Sequence, residues 1–214
     1  MSSVSIIETK ELLMNTRFLC MVSLLMVASF AHAGEVEQAV ATLDKKEAAI
    51  LYTNLSEVYK NLFSVRNELS AVISYSAQLL DRDFADDRNL GSLEVACNSM
   101  VRAQTYLGTI SPETVLHQTG WHRINYSKQV KEMQEEIPTM HKSISEINRK
   151  LCPVDRAQPS KNIIREVIAE IQSSMSDPIV KFGTILCEGY NPLQRQLYDL
   201  ELCRPASFAI KRYR

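Results

Sequence analysis

The side chains best able to do chemistry in this sequence are its five cysteines, and their placement speaks for cross-linking. Cys20 lies in an apolar amino-terminal run, which leaves Cys97, Cys152, Cys187 and Cys203 as an even set. The intervals between them are wide, contain no Cys-x-x-Cys clip and bring no histidine alongside. That spacing disfavours a zinc site, a thioredoxin-like centre and a c-type haem attachment. Two disulfides formed in an oxidising compartment are the expectation.

Histidine and methionine offer less. His117, His122 and His141, with Glu113, Glu132, Glu135 and Glu136 nearby, could be imagined around a transition metal. However, neither His-x-x-x-His nor Glu-x-x-His occurs among them, and those intervals are what set two ligands on one helical face. Met100, Met133, Met140 and Met175 could form a soft copper surface, but filling gaps in an apolar core accounts for them. Met140-His141 is the one pair that merits inspection.

The charged run from Asp81 to Gly91 has the alternating oxygens of a calcium loop but breaks the pattern where it is strict. Asp86 stands where glycine is required, Ala85 where a ligand is, and Ser92 where the closing glutamate is. No Gly-x-Ser-x-Gly turn, glycine-rich phosphate loop, kinase signature or zinc-protease motif occurs. No catalytic, cofactor-binding or metal-ligating residue is therefore expected, and the chain reads as a non-enzyme. Asn54-Leu55-Ser56 and Asn125-Tyr126-Ser127 are glycosylation sequons in a eukaryotic host.

The elements that position these residues read as helices. The 214 residues, 45% hydrophobic and 23% charged, are ordinary for a globular chain, and a net charge of −1 supplies no field to attract nucleic acid or an anionic membrane. Six glycines, seven prolines and apolar residues at helical intervals favour an all-α fold. From Phe18 to Ala31 the chain is uncharged, Arg17 precedes it, and Ala31-His32-Ala33 closes it with small residues before Gly34. Residues 1–33 thus read as a cleaved signal peptide, with 1–13 as an upstream extension if Met14 is the true start. Periplasmic or secreted localisation follows, with membrane contact only through the signal.

Leu55, Val58, Leu62, Val65, Leu69, Val72, Ser76 and Leu79 alternate by three and four, the a/d seam of a coiled coil. One helix from Val36 to Asp81, with a stutter near Ile50 and Leu51, would be a rod of ~70 Å. A second helix is expected over 92–107. Ser111-Pro112 should open a short piece ended by Gly120, and a third helix should cover 122–151 with Pro138 as a kink. Val130, Met133, Ile137, Met140, Ile144, Ile147 and Leu151 give this last helix its own seam, which looks like the partner of the first. Residues 34–151 therefore form a long coiled-coil region.

The segment from Cys152 to Pro159 is a boundary. Residues 152–214 are expected to be a helical hairpin packed on that region, capped by Ser160, turned at Asp177-Pro178 and ended or bent at Gly189 to Pro192, with a last piece reaching Cys203. A basic aromatic tail from Ser207 should fray. In an antiparallel hairpin turned at Asp177-Pro178, Cys203 comes level with Cys152, and bridged Cα atoms must approach within about 7 Å. The expected bridges are therefore Cys152 to Cys203 and Cys97 to Cys187.

The whole reads as an all-α, elongated antiparallel helical bundle or coiled coil with a long amino-terminal helix, stapled by disulfides. Its expected role is that of an exported interaction or structural module that meets a protein partner, or another copy of itself, through helical seams. The alternative is a helical-bundle sensor or carrier holding a small molecule or metal, for which a pocket around Trp121, Tyr126 or His122 would speak.

Overall fold

The structure is a computed structural model that describes residues 36–81, 87–110, 127–154, 158–200, 202–210 and 212–213. The signal at 1–33, the centre of the Asp81 to Gly91 turn and the stretch holding Ser111, His117, Trp121, His122 and Tyr126 lie outside those residues. All regular structure among the described residues is helical. The main elements are α1 (Lys45–Asp81), α2 (Asp87–Thr109), α3 (Ser127–Leu151), α4 (Lys161–Glu170), a π-turn (Ile171–Met175), α5 (Ser176–Tyr198) and a 3-10 turn (Pro205–Phe208).

The Leu55 seam behaves as its spacing requires. All eight of its residues are buried, Ser76 included. The helix that carries it starts later than expected, because the helical turn over 36–41 ends at Thr42 and Leu43 and a new helix begins beyond Asp44. Asp44 Oδ1 accepts the backbone N–H groups of Lys46 and Glu47, each at 2.8 Å, and the Glu47 carboxylate accepts the N–H of Asp44 at 3.3 Å. This capping box satisfies amide groups that a helix start leaves unpaired, so a new start replaces the expected stutter. The 37 residues of α1 make a rod of ~55 Å.

Cross-links between helices set the topology. Arg102 grips the Glu68 carboxylate with two bonds of 2.9 and 3.0 Å, and Ser92 Oγ donates to Gln78. Both pairs hold the same antiparallel register between α1 and α2. Cys97 to Cys152 and Gly108 beside His141 share a second register, between α2 and α3. Lys150 reaches Glu166 and Glu170 at 2.8 and 2.7 Å, and Lys181 reaches Glu136 at 3.2 Å, laying α3 antiparallel to the α4–α5 rod. That rod returns along α1, so the four helical arms form a closed up-down-up-down ring. The α3 seam consequently packs on α2, α4 and α5 and not along α1, which corrects the expected pairing of the two seams. Only five residues separate α1 from α2, so α2 takes the place beside α1 and α3 falls on the diagonal.

The expected carboxyl-terminal hairpin is absent. Ser160 caps α4 as its sequence suggests, its hydroxyl accepting the N–H of Ile163 at 3.3 Å, but the backbone at Glu170, Ile171, Met175 and Ser176 stays right-handed helical and no reversal occurs. Pro178 is the third residue of α5, within the first turn, where proline is tolerated. The widened turn over Ile171–Met175 gives the carbonyl four residues before Pro178 room to clear the ring, so the helix passes through instead of turning. It passes through Pro192 as well and stops at Tyr198, where Asp199 takes the left-handed conformation (φ 54°) and donates its N–H to the Arg195 carbonyl.

With the hairpin gone, the cysteine pairing derived from it fails too. The bridges are Cys97 to Cys152, with Cα atoms 5.8 Å apart, and Cys187 to Cys203, 5.2 Å apart. The chain folds back immediately after Asp199, which carries Cys203 along α5 to Cys187 rather than away from it.

The expected frayed tail is also corrected. Phe208 is fully buried and Ile210 nearly so, and Arg66 Nε donates to the Ala209 carbonyl at 2.8 Å.

Candidate functional site

Tyr52, Tyr59, Phe63 and Arg66 share a face of α1, spaced by seven, four and three residues. The antiparallel return of α5 sets Tyr190 between the first two. Its ring stacks on Tyr52 at 5.0 Å and on Tyr59 at 5.4 Å, and Tyr59 in turn stacks on Phe63 at 6.1 Å. Tyr198 meets Tyr52 edge-on at 5.1 Å, Phe208 meets Tyr59 edge-on at 5.3 Å, and Arg66 lies over Phe63. Offset and edge-on contacts of this kind add to the gain from burial. The Tyr190 hydroxyl donates to Tyr52 Oη at 3.1 Å. Burial pushes its pKa up to about 12, with the neighbouring tyrosines adding to the rise and a hydrogen bond with Ser56 opposing it.

Gly183 makes room for the tail. A Cβ at that position would stand 2.3 Å from the Phe208 ring, so glycine is the residue that lets the ring seat on the α5 backbone.

At the end of α5 the chain leaves the core and is held in place as it does so. The Cys203 N–H donates to Asn191 Oδ1 at 3.1 Å, Asn191 Nδ2 donates to the Cys203 carbonyl at 2.9 Å, and the Leu202 N–H donates to Gln194 Oε1 at 2.9 Å. The Cys187–Cys203 bridge fixes the same point covalently. Tyr198 at the end of α5 and Leu200 and Leu202 on this braced loop are 55%, 47% and 63% exposed. Three large apolar side chains left about half exposed within one short, braced segment are suited to contact with another molecule. Beside it a cleft of about 260 Å3 is lined by Glu37, Thr184, Glu188, Arg195 and the bridge at Cys187, with Glu37 paired to Arg195 at 3.1 Å across it.

The residues singled out in the sequence are brought together only in part. The four cysteines meet as two pairs. Met100, Met140 and Met175 are buried as core fillers, and His141 lies beside Gly108 on the α2–α3 contact. Glu132 and Glu136 pair with Lys181. The described residues hold no group of three or more metal-ligating side chains. The sequon at Asn54 sits inside α1 with Leu55 buried, and Ser56 is bonded to Tyr190, so the folded chain does not offer that tripeptide to a transferase. Asn125 lies outside the described residues. The aromatic stack went unread in the sequence, although the α1 spacing of Tyr52, Tyr59 and Phe63 was a signal for it.

The two bridges indicate an oxidising, non-cytosolic setting, and among the described residues no helix is long and apolar enough to cross a membrane. Comparison with family models, curated proteins and solved structures finds no match to this chain.

Proposed function

We propose that the chain is an exported, non-enzymatic helical module, periplasmic or secreted, that works by presenting a fixed apolar surface to another protein. The observation that carries this reading is the braced end of α5, where Tyr198, Leu200 and Leu202 are left about half exposed while two side-chain clamps and a disulfide hold the segment that follows. A surface whose backbone is already ordered loses less conformational freedom on binding. The helical interior supports the same role, since its seams are spent on internal packing and serve as a scaffold.

Native mass spectrometry of the processed protein from its own host tests the reading. A bound protein or a homo-oligomer that is lost in Leu200→Asp supports it. A stoichiometric small molecule or metal retained by a monomer overturns it in favour of a carrier or sensor bundle. Amino-terminal sequencing of the same material should return Gly34 or a residue close to it, and a start at Ser2 or Met14 would refute cleavage.

A further inference from the structure

We propose that the Cys97–Cys152 bridge is a redox site, opened in the folded chain by a dithiol oxidoreductase, whereas Cys187–Cys203 is a permanent cross-link. The proposal is independent of the surface at the end of α5.

The two bridges differ in their surroundings. Cys187 and Cys203 are each 3% exposed, and Asn191 holds Cys203 through both its N–H and its carbonyl. Cys97 and Cys152 are only partly buried, at the edge of the core. Attack on a disulfide requires that a thiolate reach one of its sulfurs, so access separates the two bridges. Within the open bridge Cys152 is the better target. It lies just past the end of α3, and Val154, two positions on, is wholly exposed. Backbone released from a helix, with a free apolar side chain beside the sulfur, gives an enzyme both main-chain groups and apolar surface to hold. Cys97 and Cys187 lie inside α2 and α5, where the backbone hydrogen bonds are already used within the helix.

A second observation marks the same bridge. Asn148 Oδ1 is buried and has no hydrogen-bond partner among the described residues. Asn148 stands one turn before Cys152, and its carbonyl accepts the Cys152 N–H at 2.8 Å. A disulfide sulfur has no hydrogen to donate, but the Cys152 thiol formed on reduction has one. An orphaned buried acceptor costs free energy, and reduction brings a donor into the turn that carries it.

The step is a thiol–disulfide exchange. An oxidoreductase thiolate attacks Cys152 Sγ and forms a mixed disulfide, while Cys97 leaves as a thiolate and takes up a proton. The second enzyme thiol then displaces Cys152 as a thiol, so two electrons and two protons pass to the chain and the enzyme ends as a disulfide. The opened ring keeps α3 through its apolar seam and through the ion pairs of Lys150 and Lys181, whose exposure makes them weak ties. Reduction thus turns a stapled ring into a looser one without freeing the tail.

The test keeps the whole processed chain folded, without denaturant, and adds dithiothreitol. Samples taken over time are alkylated and mapped by peptide. Cys97 and Cys152 should be labelled about tenfold faster than Cys187 and Cys203, or more, with amide exchange rising along α2 and α3 while the tail stays protected. Labelling of all four cysteines together, or of Cys187 and Cys203 first, overturns the proposal. Thioredoxin whose resolving cysteine is replaced by serine should be captured as a mixed disulfide on Cys152. Capture on Cys97, or no capture, overturns the enzymatic step. In a glutathione redox buffer Asn148→Ala should lower the reduced-to-oxidised ratio of this bridge about fivefold and leave Cys187–Cys203 unmoved. An unchanged ratio overturns the part given to Asn148.

Discussion

Two residues, Gly183 and Phe208, decide whether the tail belongs to the fold. Gly183→Ala sets a methyl group 2.3 Å from the ring, and neither the α5 backbone nor a fully buried phenylalanine can yield that far without repacking. The expected cost is about 1–3 kcal/mol in urea unfolding, as for other over-packed cores. In a Phe208→Ala background the same change should cost less than half of that, because the ring it strikes is gone; equal costs in the two backgrounds would show that Phe208 is not the obstacle. Tyr190 gives a second handle at this scale. Its pKa is raised in the folded chain from 10.0 to about 12, so the stability gained by keeping the phenol neutral is complete below pH 10 and is lost as pH rises from 10 to 12. Stability measured across that window should fall more steeply for the natural chain than for Tyr190→Phe, and one phenol should ionise late in absorbance at 295 nm. Parallel profiles would refute the burial of the hydroxyl.

Helix starts and stops account for most of the difference between reading the sequence and seeing the fold. The seam of α1 was legible because eight residues at a/d spacing leave one way to bury them, and all eight are buried. The break before α1 was not read, although Asp44 and Glu47 stand three residues apart in a capping box, because the apolar stripe from Val36 masks it. Asp44→Ala should cost about 1 kcal/mol and allow the first turn of α1 to exchange amide hydrogens faster, with α2 unaffected; unchanged exchange at Lys46 and Glu47 would show that the cap is idle. Pro178 and Pro192 misled in the opposite direction. A proline after Asp177 reads as a turn, yet the π-turn ahead of it lets one helical rod continue, and the expected cysteine pairing fell with the turn. The tail seat was not legible, since a glycine in one helix and a phenylalanine 25 positions later announce nothing until the fold brings them together.

At the scale of the whole molecule the two bridges hold different things, and their removal should show it. Cys97–Cys152 spans 55 positions and ties α2 to the end of α3, so it constrains two arms of the four-helix ring; Cys187–Cys203 spans 16 and ties only the tail to α5. Loop-closure entropy assigns about 4 kcal/mol to the first and about 3 kcal/mol to the second. The difference in place should be clearer than the difference in size. Replacing Cys97 and Cys152 by serine should lower the global unfolding midpoint and speed amide exchange along α2, α3 and α4 together, because a closed ring loosened on one side loosens throughout. Replacing Cys187 and Cys203 by serine should instead free residues 199–213 and expose Tyr59 and Phe63, with exchange in α2 and α3 as before. Phe208, Ile210 and the Arg66 bond to Ala209 still oppose that release, so the tail should open part of the time rather than leave its seat. Hydrogen exchange followed peptide by peptide separates these outcomes. A uniform loss of protection in the second variant would mean that the tail is part of the cooperative core and not a strap laid over it.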